Sequence, residues 1–117
     1  MGITYIEGTA TGPTGMRATV RFLVDTGATY TLLPAQESKL LGLVPKRSVT
    51  FTLADGSTVE REVSECHVCL PQGDGHTPVI IGQPGDEPLL GGVTLEMLGL
   101  ILHPFSRTLQ PMRMLLV

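Results

Sequence analysis

Phe22-Leu23-Val24-Asp25-Thr26-Gly27-Ala28 is an apolar run that ends in an aspartate and a glycine-containing turn. From residue 17 to residue 24, apolar side chains occupy every second position, which is typical of a strand with one buried face. Gly27 allows the chain to turn tightly and to bring its backbone close to the Asp25 carboxylate. The sequence therefore predicts a half-buried carboxylate at the end of a strand.

An Asp-Thr-Gly triplet also has an ordinary structural interpretation. Asp25 and Thr26 could simply close an Asx turn between two strands, and the triplet alone favours that interpretation. The apolar residues before Asp25 and the Ala28-Thr29 pair after Gly27 favour a functional site instead.

The chain as a whole has the composition of a mainly β protein, with 14 glycines, 9 prolines and many short alternating runs. Asp55-Gly56 separates two such runs and predicts a hairpin. We expect a turn over residues 72–75. The predicted strands beyond the first are 49–53, 58–63, 65–70 and 79–81.

Two short helices complete the prediction. The first opens at Pro34 and runs through Ala35 to Leu41, with Gly42 as a left-handed C-cap. The second spans about residues 93–98 and ends at Gly99.

The segments around these helices resemble each other. Residues 39–45 and 96–104 share a Leu-Gly-Leu core followed by a proline, at an offset of 57 residues. Each follows an apolar pair and a glycine-containing turn. The sequence thus indicates two diverged halves, each with a strand, a turn and a helix.

Composition and charge restrict the classes of protein to which this chain could belong. At 117 residues and 12.5 kDa, the chain is predicted to form a single domain, 1–117. The net charge is −3 and the basic residues are scattered, so we expect no nucleic-acid partner. Because the sequence shows no transmembrane or signal segment, we expect no membrane association and a soluble, cytoplasmic protein.

The cysteines and histidines do not indicate another chemistry. Cys66 and Cys69 are too few for a disulfide framework, and on a strand they would face opposite sides, which disfavours a shared metal. A Gly-x-Ser-x-Gly sequence is absent, and the three histidines lack a recognisable nucleophile nearby.

Residues 23–28 resemble the hydrophobic-hydrophobic-Asp-Thr-Gly-Ala motif of the retropepsin-like aspartic proteases, relatives of the retroviral proteases. Leu89-Leu90-Gly91 is similar to the late motif of that family, and the resemblance covers about residues 17–111. It implies a mainly β fold: a closed β-barrel of the acid-protease-half type, internally duplicated, with two short helices and paired as a homodimer.

The resemblance also implies a function, that of an aspartic endopeptidase acting on peptides or proteins. Such chemistry needs two carboxylates and a water, and this chain has one Asp-Thr-Gly, so two subunits would each supply Asp25. Thr26 and Gly27 would support the site, and Ala28 would bind substrate. Asp55 and Gly56, at the tip of the hairpin, would also bind substrate, as part of a flap. No metal or other cofactor is expected.

Several alternatives stay open. The hairpin could be an ordinary surface hairpin, residues 112–117 could be a buried strand rather than part of an interface, and the protein could be an inactive dimerisation or peptide-binding module. Retroviral members carry an aspartate and an arginine where this chain has Thr29, Tyr30 and Gly92, so a dimer must be held differently. Asp86 and Glu87 precede the late motif, and a position near the substrate would favour basic peptides.

Overall fold

Nine strands and two helices form residues 3–117, the part of the chain described by the computed structural model. The strands are β1 Tyr5–Thr11, β2 Arg17–Val24, β3 Thr31–Leu33, β4 Arg47–Thr52, β5 Thr58–Leu70, β6 Gly73–Ile81, β7 Leu89–Leu90, β8 Leu100–Leu102 and β9 Leu109–Pro111. The helices are α1 Ala35–Leu40 and α2 Gly92–Met97. Met1 and Gly2, the first residues of the predicted domain, lie outside the described residues.

Six of the strands close into a ring. Their order is β1-β2-β7-β3-β6-β5, and β5 pairs with β1 to complete the circle. Strand β4 pairs only with the first half of β5, so the β4–β5 hairpin extends from the ring as an arm. Strands β8 and β9 form a separate two-stranded sheet. The predicted mainly β architecture with two short helices is confirmed.

The interior of the ring explains the alternation in β2. Val20, Phe22 and Val24 are buried, whereas Arg17 and Arg21 are exposed, as the sequence predicts. Burial of an apolar side chain of this size stabilises the fold by about 1.5–3 kcal/mol. The buried face of β2 therefore fixes the position at which the chain leaves the core and reaches Asp25.

The two-half organisation is visible in the hydrogen bonds. The Asp25 amide donates to the Leu90 carbonyl at 3.0 Å, and the Gly82 amide donates to the Leu33 carbonyl at 2.8 Å. Residues 25 and 82 are 57 positions apart, and so are residues 33 and 90, so exchanging the two halves converts the first bond into the second. Both helices are also followed by a glycine with positive φ, 67° at Gly42 and 69° at Gly99. The predicted internal duplication is confirmed, and the structural counterpart of Asp25 in the second half is Gly82.

Two predicted boundaries in the middle of the chain are wrong. The strands predicted at 58–63 and 65–70 form one strand, β5, and the turn predicted at 72–75 is limited to Pro71 and Gln72, since β6 begins at Gly73. Ser64 falls between the two strands predicted from the sequence. Ser64 is instead buried within the strand, where its hydroxyl donates to the Val44 carbonyl at 2.7 Å.

Both helices are close to their predicted bounds. Pro34 precedes the first helical residue of α1 rather than occupying the first helical position, because its ψ of 161° is extended. α2 begins at Gly92, one residue before the predicted start.

Residues 112–117 form no strand in the structure, so the alternative of a buried terminal strand is wrong. The Met112 amide donates to the Gly99 carbonyl at 2.8 Å, and the following apolar side chains, from Met114 to Val117, are exposed by 67% or more. We call residues 112–117 the apolar tail.

Cys66 and Cys69 face opposite sides of β5, as predicted. Cys66 is buried, and burial raises the pKa of its thiol to about 12, whereas Cys69 is exposed. Neither is in a disulfide. Among residues 3–117, neither helix has the length and apolar character needed to cross a bilayer.

Candidate active site

Asp25 lies at the carboxyl end of β2, where β7 runs parallel beside it. Leu23 pairs with Leu89 and Val24 pairs with Leu90, and the Asp25 amide continues this ladder by donating to the Leu90 carbonyl. The backbone of Asp25 is thus held by the second predicted motif. This is the physical link between two sequence motifs that lie far apart in the chain.

The turn after Asp25 orients its carboxylate. The Gly27 amide donates to Asp25 Oδ1 at 3.0 Å, and the Ala28 amide donates to the Asp25 carbonyl at 3.1 Å. The Asp25 side chain is partly exposed, and Thr26 and Gly27 are exposed. The turn therefore presents a hydrogen-bonded carboxylate at the surface of the chain.

Main-chain hydrogen bonds connect the same turn to the start of α2. The Gly92 amide donates to the Ala28 carbonyl at 2.8 Å, and the Val93 amide donates to the Thr29 carbonyl at 3.0 Å. A side chain at Gly91 would not fit, since its Cβ would lie 2.5 Å from the carbonyl carbon of Tyr30. Backbone contacts thus join the Asp25 turn to the start of α2.

A buried network of threonine hydroxyls supports this junction, and the sequence analysis missed it. Thr31 Oγ1 accepts a hydrogen bond from the Gly91 amide at 3.0 Å and contacts the Thr94 hydroxyl, which in turn is 2.8 Å from Thr77 Oγ1. All three threonines are at most 2% exposed. Buried hydroxyls cost stability unless they are paired, so this network favours one fixed arrangement of the turn and α2. In the sequence, these threonines can be noticed only as single polar residues beside apolar ones.

A groove of about 560 Å³ lies between the Asp25 turn and the β4–β5 hairpin. Its lining combines the turn, the hairpin and the ring strands next to them: Gly27, Ala28, Thr29, Tyr30, Leu32, Val49, Thr50, Phe51, Thr52, Leu53, Val59, Arg61, Ile80 and Leu89. Ala28 therefore lies in the groove, as expected of a substrate-binding residue. The contributions of Tyr30, Phe51 and Arg61 were not predicted, because they depend on how the hairpin folds over the turn.

Asp55 and Gly56 lie at the exposed tip of the hairpin and do not line the groove. Asp55 Oδ1 accepts hydrogen bonds from the hydroxyl and the amide of Ser57, and these bonds lower the pKa of Asp55. Gly56 has a φ of 87°, as the predicted hairpin turn requires. The two residues thus lie at the exposed end of the hairpin, outside the groove, and a role in binding substrate stays a prediction.

Replacing Gly56 by valine tests whether the hairpin acts as a flap. A β-branched residue at this φ is strained by about 1–2 kcal/mol, which corresponds to a roughly tenfold change in the population of the hairpin conformation. We expect Gly56→Val to lower peptide turnover by about tenfold, measured by steady-state kinetics beside thermal unfolding.

Gly15 offers a matched control for this substitution. It lies in the β1–β2 turn with a φ of 88°, and, as at Gly56, nothing lies within 4 Å of its would-be Cβ. Gly15→Val should reduce stability similarly and leave turnover unchanged. Equal turnover in the two variants would show that the hairpin is not a flap.

Other polar residues lie away from the groove. Asp86 Oδ2 accepts a hydrogen bond from the Gln83 amide at 2.8 Å, and Glu87 lines a different surface depression together with Arg21 and Glu37. The expectation that Asp86 and Glu87 lie near the substrate is therefore not met in this subunit. His67 pairs with Asp74 at 2.7 Å and is likewise outside the groove lining.

Comparisons with known proteins agree with this architecture. Residues 6–94 match the model of a family described as aspartyl protease, and that range contains Asp25, the hairpin and Leu89-Leu90-Gly91. No curated protein matches the chain. The solution structure of simian foamy virus (mac) protease is similar, with a TM-score of 0.56 and 16% identity over 80% of this chain and 92% of that chain. This similarity confirms the retropepsin-like fold, and because the family model covers well over half of the residues, the chain belongs to the aspartyl protease family.

Proposed function

We propose that this aspartic protease is a homodimeric endopeptidase in which each subunit supplies one Asp25. The observation that carries the proposal is the pseudo-symmetry of the chain, which puts Gly82 at the position equivalent to Asp25. Aspartic protease chemistry needs two neighbouring carboxyl groups. Since the second half offers no carboxylate at that position, a second chain is the natural source of one.

In the proposed reaction, one Asp25 is ionised and its counterpart is protonated. The ionised carboxylate accepts a proton from a water as the water oxygen attacks the scissile carbonyl carbon, and the protonated carboxyl donates its proton to the carbonyl oxygen. The C–N bond of the resulting tetrahedral intermediate then breaks, and a proton passes to the leaving amine. The Gly27 amide, which binds Asp25 Oδ1, would keep the carboxylate oriented throughout.

The exposed parts of the subunit fit such a pairing. Thr26 and Gly27 are exposed beside Asp25, as residues that meet a partner subunit would be. The apolar tail leaves four consecutive apolar side chains in solvent, from Met114 to Val117, and contact with a second subunit would remove them from water. These features support a dimer that joins both the Asp25 turns and the apolar tails.

The groove and the hairpin support a binding site for the proposed peptide substrate. An extended peptide can lie between Ala28 and the hairpin, which would close over it as a flap. The cytoplasm remains the proposed location, because Cys66 and Cys69 are unpaired and require no oxidising compartment.

Incubation of the protein with a diverse peptide mixture at several pH values between about pH 4 and pH 7 tests this function. Mass spectrometry should reveal internal cleavage products. Peptides that bind without being cut at any pH would favour the alternative of an inactive peptide-binding module.

A further inference from the structure

The two faces of the β4–β5 hairpin carry opposite charges. Arg61 lies directly opposite Val49 on the face that lines the groove, whereas Glu60 and Glu62 lie on the other face, opposite Thr50 and Ser48. Alternate residues of a strand point to opposite faces, so this pattern places Arg61 on the groove face and the two glutamates on the other. Arg61 also borders a second depression that Glu60 and Glu62 line.

Arg61 is the one charged residue among those that line the groove. Its side chain is partly buried, and its Nη1 donates only to the carbonyl of the adjacent Glu60, at 3.5 Å. Within residues 3–117, no carboxylate lies within ion-pair distance of this guanidinium. Its hydrogen-bonding capacity is therefore largely free for a bound molecule.

Arg47 adds a second positive charge on the same face. It pairs with Val63 while Arg61 pairs with Val49, so the two arginines are diagonal neighbours across the strands. The Arg47 guanidinium donates to the Tyr30 hydroxyl, and the Tyr30 ring packs edge-on against Phe51 at 5.8 Å between centroids. These contacts hold Arg47 beside Tyr30, which lines the groove, whereas Arg47 itself is not among the lining residues.

An anion bound by Arg61 would also be attracted by the positive charge of Arg47 on the same face. The remaining lining is apolar or uncharged, including Leu32, Val59 and Ile80. A ligand that suits the groove thus combines an apolar side chain with a negatively charged one.

We propose that the groove selects extended peptides in which an apolar residue and an acidic residue stand two positions apart, with the carboxylate bound by Arg61. Two positions is the spacing at which side chains of an extended peptide share one face. This specificity rests on the proposed peptidase function, which supplies the reason for a peptide in the groove. It reverses the preference for basic peptides that Asp86 and Glu87 suggested.

The test measures binding separately from cleavage. Asp25→Asn protein is titrated by calorimetry with ten-residue peptides that carry a central leucine and a glutamate two positions after it or two positions before it. Each has a twin with glutamine in place of glutamate. We expect the better glutamate peptide to bind about three- to tenfold more tightly than its twin, a range set by a partly exposed charged pair. The difference should shrink at high salt.

Arg61→Gln, made in the Asp25→Asn protein, should abolish the difference between glutamate and glutamine peptides. Arg17→Gln is the matched control, because Arg17 is exposed on β2 and lies outside the groove lining. The control should retain the full preference. Equal binding of both twins, a preference that survives Arg61→Gln, or no binding of any peptide would each overturn the proposal.

Cleavage of the same peptides by the wild-type protein is measured in parallel. Selective binding without cleavage would contradict the peptidase function and leave the acidic selectivity intact. Equal cleavage of a glutamate peptide and its glutamine twin would support the peptidase function and contradict the acidic selectivity. The two claims can therefore fail independently.

Discussion

Asp25→Asn is expected to lower peptide cleavage by about three to four orders of magnitude, the largest effect expected of any single substitution in this protein. Asparagine has the same shape, and its Oδ1 can still accept the hydrogen bond from the Gly27 amide, so the turn should persist. It cannot accept the proton of the attacking water. Cleavage rates of wild type and variant on one peptide, measured at two pH values, provide the test.

The same substitution should leave the stability of the dimer unchanged or raise it at neutral pH. In the proposed dimer, each Asp25 faces its counterpart, and two ionised carboxylates repel each other. Asparagine removes that repulsion. If Asp25 served only to close a turn, the variant would change neither activity nor stability. Asp74→Asn is the matched control, since Asp74 lies outside the groove lining and should not affect cleavage.

Removal of the apolar tail, residues 112–117, is expected to raise the dissociation constant of the dimer by about a hundredfold or more. The reason is the loss of the apolar area from Met114 to Val117, where burial contributes roughly 1.5–3 kcal/mol for each fully buried side chain. Activity per chain should then fall steeply on dilution, because a monomer holds one Asp25. Sedimentation and activity across a dilution series would measure both effects.

Met16→Ser provides a control for loss of exposed apolar surface elsewhere. Met16 is 48% exposed, before β2 and away from the apolar tail, and its replacement should not change the dimer. A truncated protein that remains dimeric at the same dilution would exclude the tail from the interface. A monomer with full activity would contradict the two-carboxylate mechanism itself.

Local sequence patterns predicted the elements that depend on neighbouring residues. The alternation in β2 is a direct consequence of one buried face, and Gly56 is dictated by the positive φ of its turn, so both could be recognised without a structure. Asp25 was identified because the apolar residues before it and the glycine after it are adjacent in the chain. The internal duplication could be recognised from the sequence around Gly42 and Gly99.

Features that depend on contacts between residues far apart in the chain could not be predicted from local sequence patterns. Thr31 and Thr94 meet only because β7 inserts between β2 and β3, and no local pattern distinguishes them from surface threonines. Arg47 acquires its position from a hydrogen bond to Tyr30, which is distant in the sequence. The burial of Ser64 also required tertiary structure, since a carbonyl in the loop before β4 satisfies its hydroxyl.

The most direct test of the central claim, that two chains each contribute one Asp25, is a subunit-mixing experiment. Wild-type protein at fixed concentration is equilibrated with increasing amounts of the Asp25→Asn chain, and peptide cleavage is measured after exchange, which differently tagged chains confirm. Random pairing at ninefold excess leaves about one tenth of the wild-type chains with a wild-type partner, so activity should fall to roughly 10%. Activity that stays constant at every ratio, with exchange demonstrated, would contradict the shared active site.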